Sequence, residues 1–432
     1  MYSIYIHSSV FVLNFTVIKL KAKESACIMN NSLSYPIKIK PVKGASNYLY
    51  FNVLKGVDKG YSDFEIELED PHGSFYPNTL LPIAGTLSSF KNNCQFKFKH
   101  DVVDYGANAY SYAEHAGIFN PYKDPKKTRS DAYLDKIWLF DTNSHYEIVT
   151  GVVSSLRQRI ALAPGLLNAL ELCLNEISDN VLVHSSNDDS IAPFGFIMAQ
   201  VHHKTNKIAI SVFDNGIGIQ ESLSRGGRMT NTVEEAINLA FEKGVTDGKG
   251  AGNGLWLLRE VVKQGRGSIS VVTSGTSFDL IHREGVEDIP LVREFNSTGG
   301  TTLIDFQLFP TSVINLNEIM GDASPVDYWT EAHEVDDAGK TLKLNVKKEA
   351  HGLGSRFDAQ LFRTVVENVL ADQDVAVVLD FSDIEIVSMS FADELINKLQ
   401  KRIGIDQFIR RVRIVNLSRE CRSIFSGIID LI

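Results

Sequence analysis

Two stretches of this chain hold residue types that suit work at a phosphate. "GKGAGNGLWLLREVV" places glycines at 248, 250, 252 and 254 just before an apolar helical pattern that starts at Leu255. Glycine lets a backbone approach a ligand closely, and the free N–H groups of a helix start bind anions such as phosphate. "LNEISDNVLVHS", residues 174–185, spends Glu176, Asp179, Asn180 and His184 among its Leu, Ile and Val positions. Glu176 and Asn180 are four apart and project from one helix face, one turn from each other. Between these stretches, "KIAISVFDNGIGI" ends an apolar strand in Asp214, followed by Gly216 and Gly218. Taken singly, each pattern has an ordinary reading: a solvated helix stripe, a turn, a glycine-rich loop.

The elements that must position these residues follow from periodicity. Leu170, Leu174, Ile177 and Val181 give the apolar face of a helix over 165–186, and further helices are predicted over 151–163, 232–243 and 254–264. "FGFIMAQVHH", "KIAISVFD", "GSISVVTSG" and "GGTTLIDFQLF" read as strands. Before this unit, "IKIKPV", "FEIELED" and "CQFKFKH" read as strands alternating with helices at "SNYLYFNVLKGV" and "PNTLLPIAGTLSSF", a small α/β domain. A loop-like stretch with Pro121, Pro125 and "KDPKK" ends that domain. From Lys340, "KTLKLNVKKEA", a helix over 358–371, "VAVVLDF", a helix over 391–403, "RVRIVNL" and a terminal helix repeat the order β-α-β-α-β-α.

Composition narrows the classes. The chain has 432 residues, 44% hydrophobic and 22% charged, enough for several domains with their own cores. A net charge of −10 argues against a protein that coats nucleic acid or anionic lipid. Cys27, Cys94, Cys173 and Cys421 form no C-x-x-C pair, so neither a zinc cluster nor a disulfide framework is expected and a reducing cytoplasm fits best. Residues 1–32 read as an amphipathic or disordered extension, too interrupted to span a bilayer, with Met1 and Met29 both open as the start.

Order and spacing bring the single patterns together. A helix with Glu and Asn, then Asp-x-Gly-x-Gly at a strand end, then Gly-x-Gly-x-Gly-Leu opening a helix, then a strand starting "GGTT" resembles the ATP-binding domain of the GHKL superfamily, which groups DNA gyrase, Hsp90, histidine kinases and MutL. "NEISDNVLVHS" is similar to its N box, and "DNGIGI" and "GKGAGNGL" to its glycine boxes. The resemblance implies that Asn180 ligates Mg²⁺ and that Glu176 deprotonates or orients the attacking water or hydroxyl. It implies that Asp214 accepts from the adenine amine, with Gly216 and Gly218 beside the base, and that Thr301 completes the adenine contact through water. Lys249, Gly250, Gly252 and Gly254 would hold the phosphates, and 219–249 would be a mobile lid. Arg225 and Arg228 are further phosphate candidates in the lid. Asp179 and His184 are expected at the helix surface.

"VAVVLDFSDIEIVSMSFADELINKL" resembles a STAS-like domain, the fold of anti-sigma factor antagonists. That match places Ser390 at the phosphorylatable serine, although Met389 and Phe391 depart from the family's neighbours. Ser390 also reads as a helix N-cap, with Asp393 three residues on. The basic stretch "KRIGIDQFIRRVRIVNLSRECR" lacks interleaved aromatics and reads as a half-solvated edge rather than a nucleic-acid patch.

The expected fold class is α/β: a central Bergerat-type (GHKL) sandwich over 131–312, with helices on one face of a sheet. An N-terminal α/β domain and linker over 33–130, itself a candidate STAS-like unit, and a C-terminal STAS-like domain over 339–432 flank it, with 313–338 as a connector. The expected function is that of a cytoplasmic, Mg²⁺-dependent ATP-binding regulator that hydrolyses ATP or transfers its γ-phosphate to a serine of a STAS-like domain. A nucleotide-gated interaction scaffold and a DNA-associated, MutL-like ATPase are the alternatives. A protein partner is expected through the STAS-like domain, a homodimer is open, and neither membrane nor nucleic acid is expected as a partner.

Overall fold

The computed structural model describes residues 34–40, 42–68, 75–99, 107–125, 132–184, 192–245, 253–283, 285, 288–294, 300–321, 333–335 and 341–429. The N-terminal extension therefore lies outside the described residues. Three parallel strands, β1 (Tyr35–Ile39), β2 (Asp63–Leu68) and β3 (Gln95–Phe98), pair in chain order, joined by helices α1 (Ala45–Asp58) and α2 (Pro77–Phe90). Helix α3 (Ala107–His115) lies in the stretch read as a loop, and Ala113 and Ala116 join the same core.

The central sheet has seven antiparallel strands in the order β4-β5-β6-β10-β7-β8-β9. They are β4 (Trp138–Asp141), β5 (Phe194–His202), β6 (Lys207–Asp214), β7 (Ser268–Thr273), β8 (Thr276–Ile281), β9 (Leu291–Glu294) and β10 (Thr302–Leu308). One face is covered by α4 (His145–Arg159), α5 (Leu166–His184) and α8 (Gly254–Gln264), whose apolar stripes share a core with Ile197, Ile210 and Ile304. Two short helices, α6 (Ile219–Arg225) and α7 (Val233–Ala240), pack on each other within the segment read as a lid.

The other sheet face is covered as well. Helix α2 lies on β5, β6 and β10, and its other side packs on α1. A helix buried on both sides must be largely apolar and uncharged, and "PNTLLPIAGTLSSF" carries no charged residue. Gly85 permits the approach, since a Cβ there would lie 2.2 Å from the Phe213 ring. Asn78 of α2 donates to the buried Asp305 at 3.1 Å, and Lys43 pairs with Asp279 on β8.

The C-terminal unit has β12 (Thr341–Asn345), β13 (Ala376–Asp380) and β14 (Val412–Val415) in parallel chain order, with β11 (Glu334–Val335) antiparallel at one edge. Helices α11 (Arg356–Asp372) and α12 (Met389–Ile403) pack side by side. The short α9 (Leu316–Met320) falls in the connector, α10 (Val346–Glu349) follows β12, and α13 (Ile405–Arg411) and α14 (Arg419–Ile429) flank β14. The unit is fastened to the central one through buried polar groups. The Asn368 amide of α11 accepts from the Leu162 N–H at 2.8 Å and donates to the carbonyls of Arg157, at 2.7 Å, and Ile160, at 3.1 Å. Asp372 accepts from the Gly165 N–H at the foot of α5. Arg157 pairs with Glu349 at 2.9 Å. Burial opposes ionisation of Glu349, but the His333 hydrogen bond and the Arg157 charge hold its carboxyl down at about 2.

The helix start at Ser390 is a correction. Ser388 is the N-cap of α12, its Oγ accepting from the Phe391 N–H at 3.0 Å. The helix begins two residues earlier than the sequence suggested, so Ser390 sits in its first turn, half-buried, with its Oγ 3.1 Å from that of Ser388. Asp393 bonds instead to Asn397 and Arg356.

Candidate nucleotide site

A cavity opens between α5, α6, α8 and the ends of β6 and β10, lined among others by Asn180, His184, Asp214, Gly218, Gly254 and Thr302. Two turns of α5 supply Glu176 and Asn180, both half-buried. Helix α8 begins against them: a Cβ on Gly254 would lie 2.9 Å from Asn180 Nδ2 and 3.2 Å from Glu176 Cβ. The N–H groups at the start of α8 therefore come within reach of the space these two side chains border. Burial raises the Glu176 carboxyl above its ordinary range, and the nearby Asp179 charge adds to the effect. That shift moves a carboxylate towards the proton affinity of a general base.

Asp214 ends β6 inside the cavity and is 5% exposed. Burial pushes its carboxyl up to about 7, and the Gly216 N–H, donating to Oδ1 at 2.7 Å, only partly opposes this. Gly216 is required for contact, because a Cβ would meet the His184 carbonyl oxygen at 2.4 Å and Asp214 Oδ1 at 2.6 Å. Gly218 has a φ of +81° and a Cβ there would lie 2.5 Å from Ser274 Oγ. Only glycine takes that turn beside that neighbour without strain.

Thr301 is corrected to Thr302. Thr302 pairs in register with Asp214 across β6 and β10 and lines the cavity, whereas Thr301 lines a cleft on the opposite face of the sheet with Lys43 and Asn78. Successive strand residues face opposite sides, and the doubled "TT" hides which one faces the cavity. His184 also departs from a surface role: it lines the cavity, with Nδ1 3.2 Å from Ser222 Oγ of α6. Asp179 is exposed as expected, with His145 Nε2 3.2 Å away. Arg225 pairs with Glu221 on α6. Lys249, Gly250 and Gly252 lie outside the described residues.

Residues 165–308 match the family of histidine kinase-, DNA gyrase B- and HSP90-like ATPases. Residues 358–420 match a STAS-like domain of unknown function. The chain carries a GHKL-type ATPase domain followed by a STAS-like domain. Among solved structures it is similar to the ATPase region of Saccharomyces cerevisiae topoisomerase II, at 16% identity over 37% of this chain and 40% of that one, with a TM-score of 0.20. It is also similar to the 43K ATPase domain of Thermus thermophilus gyrase B in complex with an aminocoumarin, at 17% identity over 37% of each chain, with a TM-score of 0.19. The chain thus spans well under two thirds of the length of either. No curated protein matches it.

Among the described residues no group of three His, Cys, Asp or Glu could hold a metal ion by itself. A divalent ion here would need oxygens from a bound phosphate, as hard cations such as Mg²⁺ usually take in nucleotide sites. Asn180, facing the start of α8, fits that arrangement. No helix among the described residues is long and apolar enough to cross a membrane.

Proposed function

We propose that this protein is an Mg²⁺-dependent ATP-binding regulator whose ATPase domain cleaves the γ-phosphate, passing it to water or to a serine of a STAS-like domain. One observation carries the reading: Asn180 and Gly254, at the start of α8, line the cavity that also holds the buried carboxylate of Asp214, and Glu176 packs against Gly254 one turn from Asn180. In this reading one end of the cavity takes the phosphates and the other reads the base. Asp214 accepts the exocyclic amine of adenine, with Thr302 beside it. The start of α8 and its preceding glycines receive the phosphates. Asn180 would help to hold Mg²⁺, which supplies charge neutralisation across the phosphate oxygens. Glu176, one turn away, orients the attacking hydroxyl or water and takes its proton.

The STAS-like domain is the output surface in this reading. It is bonded to both ends of the α4–α5 connection, and α5 also carries Glu176 and Asn180. Ser390, in the first turn of α12, is the candidate acceptor, since phosphate at a helix start is electrostatically favoured.

Titration calorimetry with ATP and Mg²⁺ tests the assignment of roles. Glu176→Ala is expected to bind ATP within a fewfold of the unaltered protein while losing turnover by at least about a hundredfold, the range of general-base contributions. Asn180→Ala is expected to lose the Mg²⁺-dependent part of binding. Unaltered turnover in Glu176→Ala would remove the catalytic reading and leave a nucleotide-gated scaffold.

A further inference from the structure

A buried threonine lies beside the base-reading end. Thr273 ends β7 and is 0% exposed. It pairs in register with Thr302, which pairs in register with Asp214, so the three residues form one row across the ends of β7, β10 and β6. All three are buried; Asp214 and Thr302 line the cavity, and Thr273, as the cross-strand partner of Thr302, shares their face of the sheet. The Thr273 hydroxyl oxygen accepts the Ile219 N–H at 3.2 Å, fixing the turn that follows Gly218, and lies 3.5 Å from Thr302 Oγ1. The backbone beneath it is rigid in a specific way. Thr273 and Thr276 face each other across a two-residue turn in which Ser274 and Gly275 both have positive φ, the geometry of the tightest β-hairpins.

A hydroxyl offers one proton and two lone pairs. Thr273 uses one lone pair on Ile219 and keeps its proton for a second partner, and Thr302 Oγ1 stands 3.5 Å away to take it. If Thr273 donates to Thr302, the Thr302 proton is left to point into the cavity. The row then presents an acceptor, Asp214, beside a donor, Thr302. Adenine shows the complementary pair on its Watson–Crick edge, an amine donor beside a ring-nitrogen acceptor. Guanine shows the reverse, a carbonyl beside an N–H. A Thr302 hydroxyl free to rotate would serve either pattern. One held as a donor serves adenine alone.

We propose that Thr273 is a positioning residue that holds Thr302 as a hydrogen-bond donor and thereby makes the site select adenine over guanine nucleotides. This rests on the nucleotide-site reading above and adds to it a residue that does not touch the ligand. Binding of ATP and GTP is measured by calorimetry on the full chain and on Thr273→Val, Thr273→Ser and Thr302→Ala. Valine keeps the shape and removes the hydroxyl, while serine keeps the hydroxyl. Thr273→Val is expected to weaken ATP about tenfold, the scale of one hydrogen bond, and to narrow the ATP-to-GTP ratio by a similar factor. Thr273→Ser is expected to restore both. The kinetics should split in the same sense, with KM for ATP raised in Thr273→Val and kcat at saturation unchanged, because the phosphate end is untouched. Equal loss of ATP and GTP, or loss in Thr273→Ser as large as in Thr273→Val, reduces Thr273 to a packing residue. Either result overturns the proposal, as does unchanged binding of both nucleotides in Thr273→Val. A parent protein that binds neither nucleotide overturns the nucleotide-site reading itself, whatever the variants do.

Discussion

Asp214 shows how a single residue ties the pocket to pH. Its carboxyl is pushed up to about 7 by burial, against about 4 for an exposed aspartate. Between those values the folded chain keeps a proton that the unfolded chain has released, so this residue costs stability as pH rises through that window. The same burial makes the ionised form the one that a ligand amine satisfies. ATP affinity is therefore expected to rise by roughly tenfold from pH 6 to pH 8, and Asp214→Asn is expected to be weak and flat over that range. Calorimetry at three pH values checks both. Glu176, Asn180 and Asp214 were legible because acid and amide residues are uncommon inside apolar periodic segments. Thr302 and Thr273 were not, because threonine is an ordinary strand residue and only cross-strand register reveals that they share a row.

At the scale of elements, the approach of α8 to α5 makes the site. Gly254→Ala places a methyl 2.9 Å from Asn180 Nδ2, closer than side chains tolerate, so Asn180 must move. ATP affinity in the presence of Mg²⁺ is expected to fall by tenfold or more with little change in Tm, since alanine favours the helix itself. Loss of Tm without loss of affinity would show that α8 yields instead of Asn180. Long periodic helices and continuous apolar strands were readable in advance: α2, α5, α8, β5 and β6 occur where their patterns lie. Strands β4 and β9 carry little signal because each has four residues, and β4 pairs with β5 far along the chain, while β8 follows β7 directly across the Ser274–Gly275 turn. Helix α3 carries little signal because "ANAYSYAEH" has few apolar residues, and its own Tyr110 is seated by the Phe98 ring of β3. The start of α12 differs because Ser388 and Ser390 are both suited to cap a helix, and it is Ser388 that accepts from the Phe391 N–H.

For the whole molecule, the flanking units cover the central sandwich differently. The N-terminal unit closes the second sheet face through α2, a role implied by the unbroken apolar runs of β5 and β6. The STAS-like unit is fastened through Asn368, Asp372 and Glu349. Asn368→Ala strands the Leu162 N–H and two carbonyls in a buried seam and is expected to lower stability by about 2–3 kcal/mol. Denaturant unfolding measures it, and a loss under about 0.5 kcal/mol would mean that water replaces the amide. The seam also responds to acid. The Glu349 carboxyl, held at about 2, supplies stability that is fully present above the unfolded value near 4 and is lost as pH falls towards 2.

The most direct test of the central claim pairs intact-mass analysis with phosphate release, on the full chain incubated with ATP and Mg²⁺ alongside Glu176→Ala and Ser390→Ala. The account predicts that Glu176→Ala abolishes whichever product the parent makes. A mass gain of one phosphate, lost also in Ser390→Ala, identifies a kinase acting on its own STAS-like domain. Phosphate release without mass gain identifies an ATPase switch. Product formation that persists at the parent rate in Glu176→Ala would contradict the account.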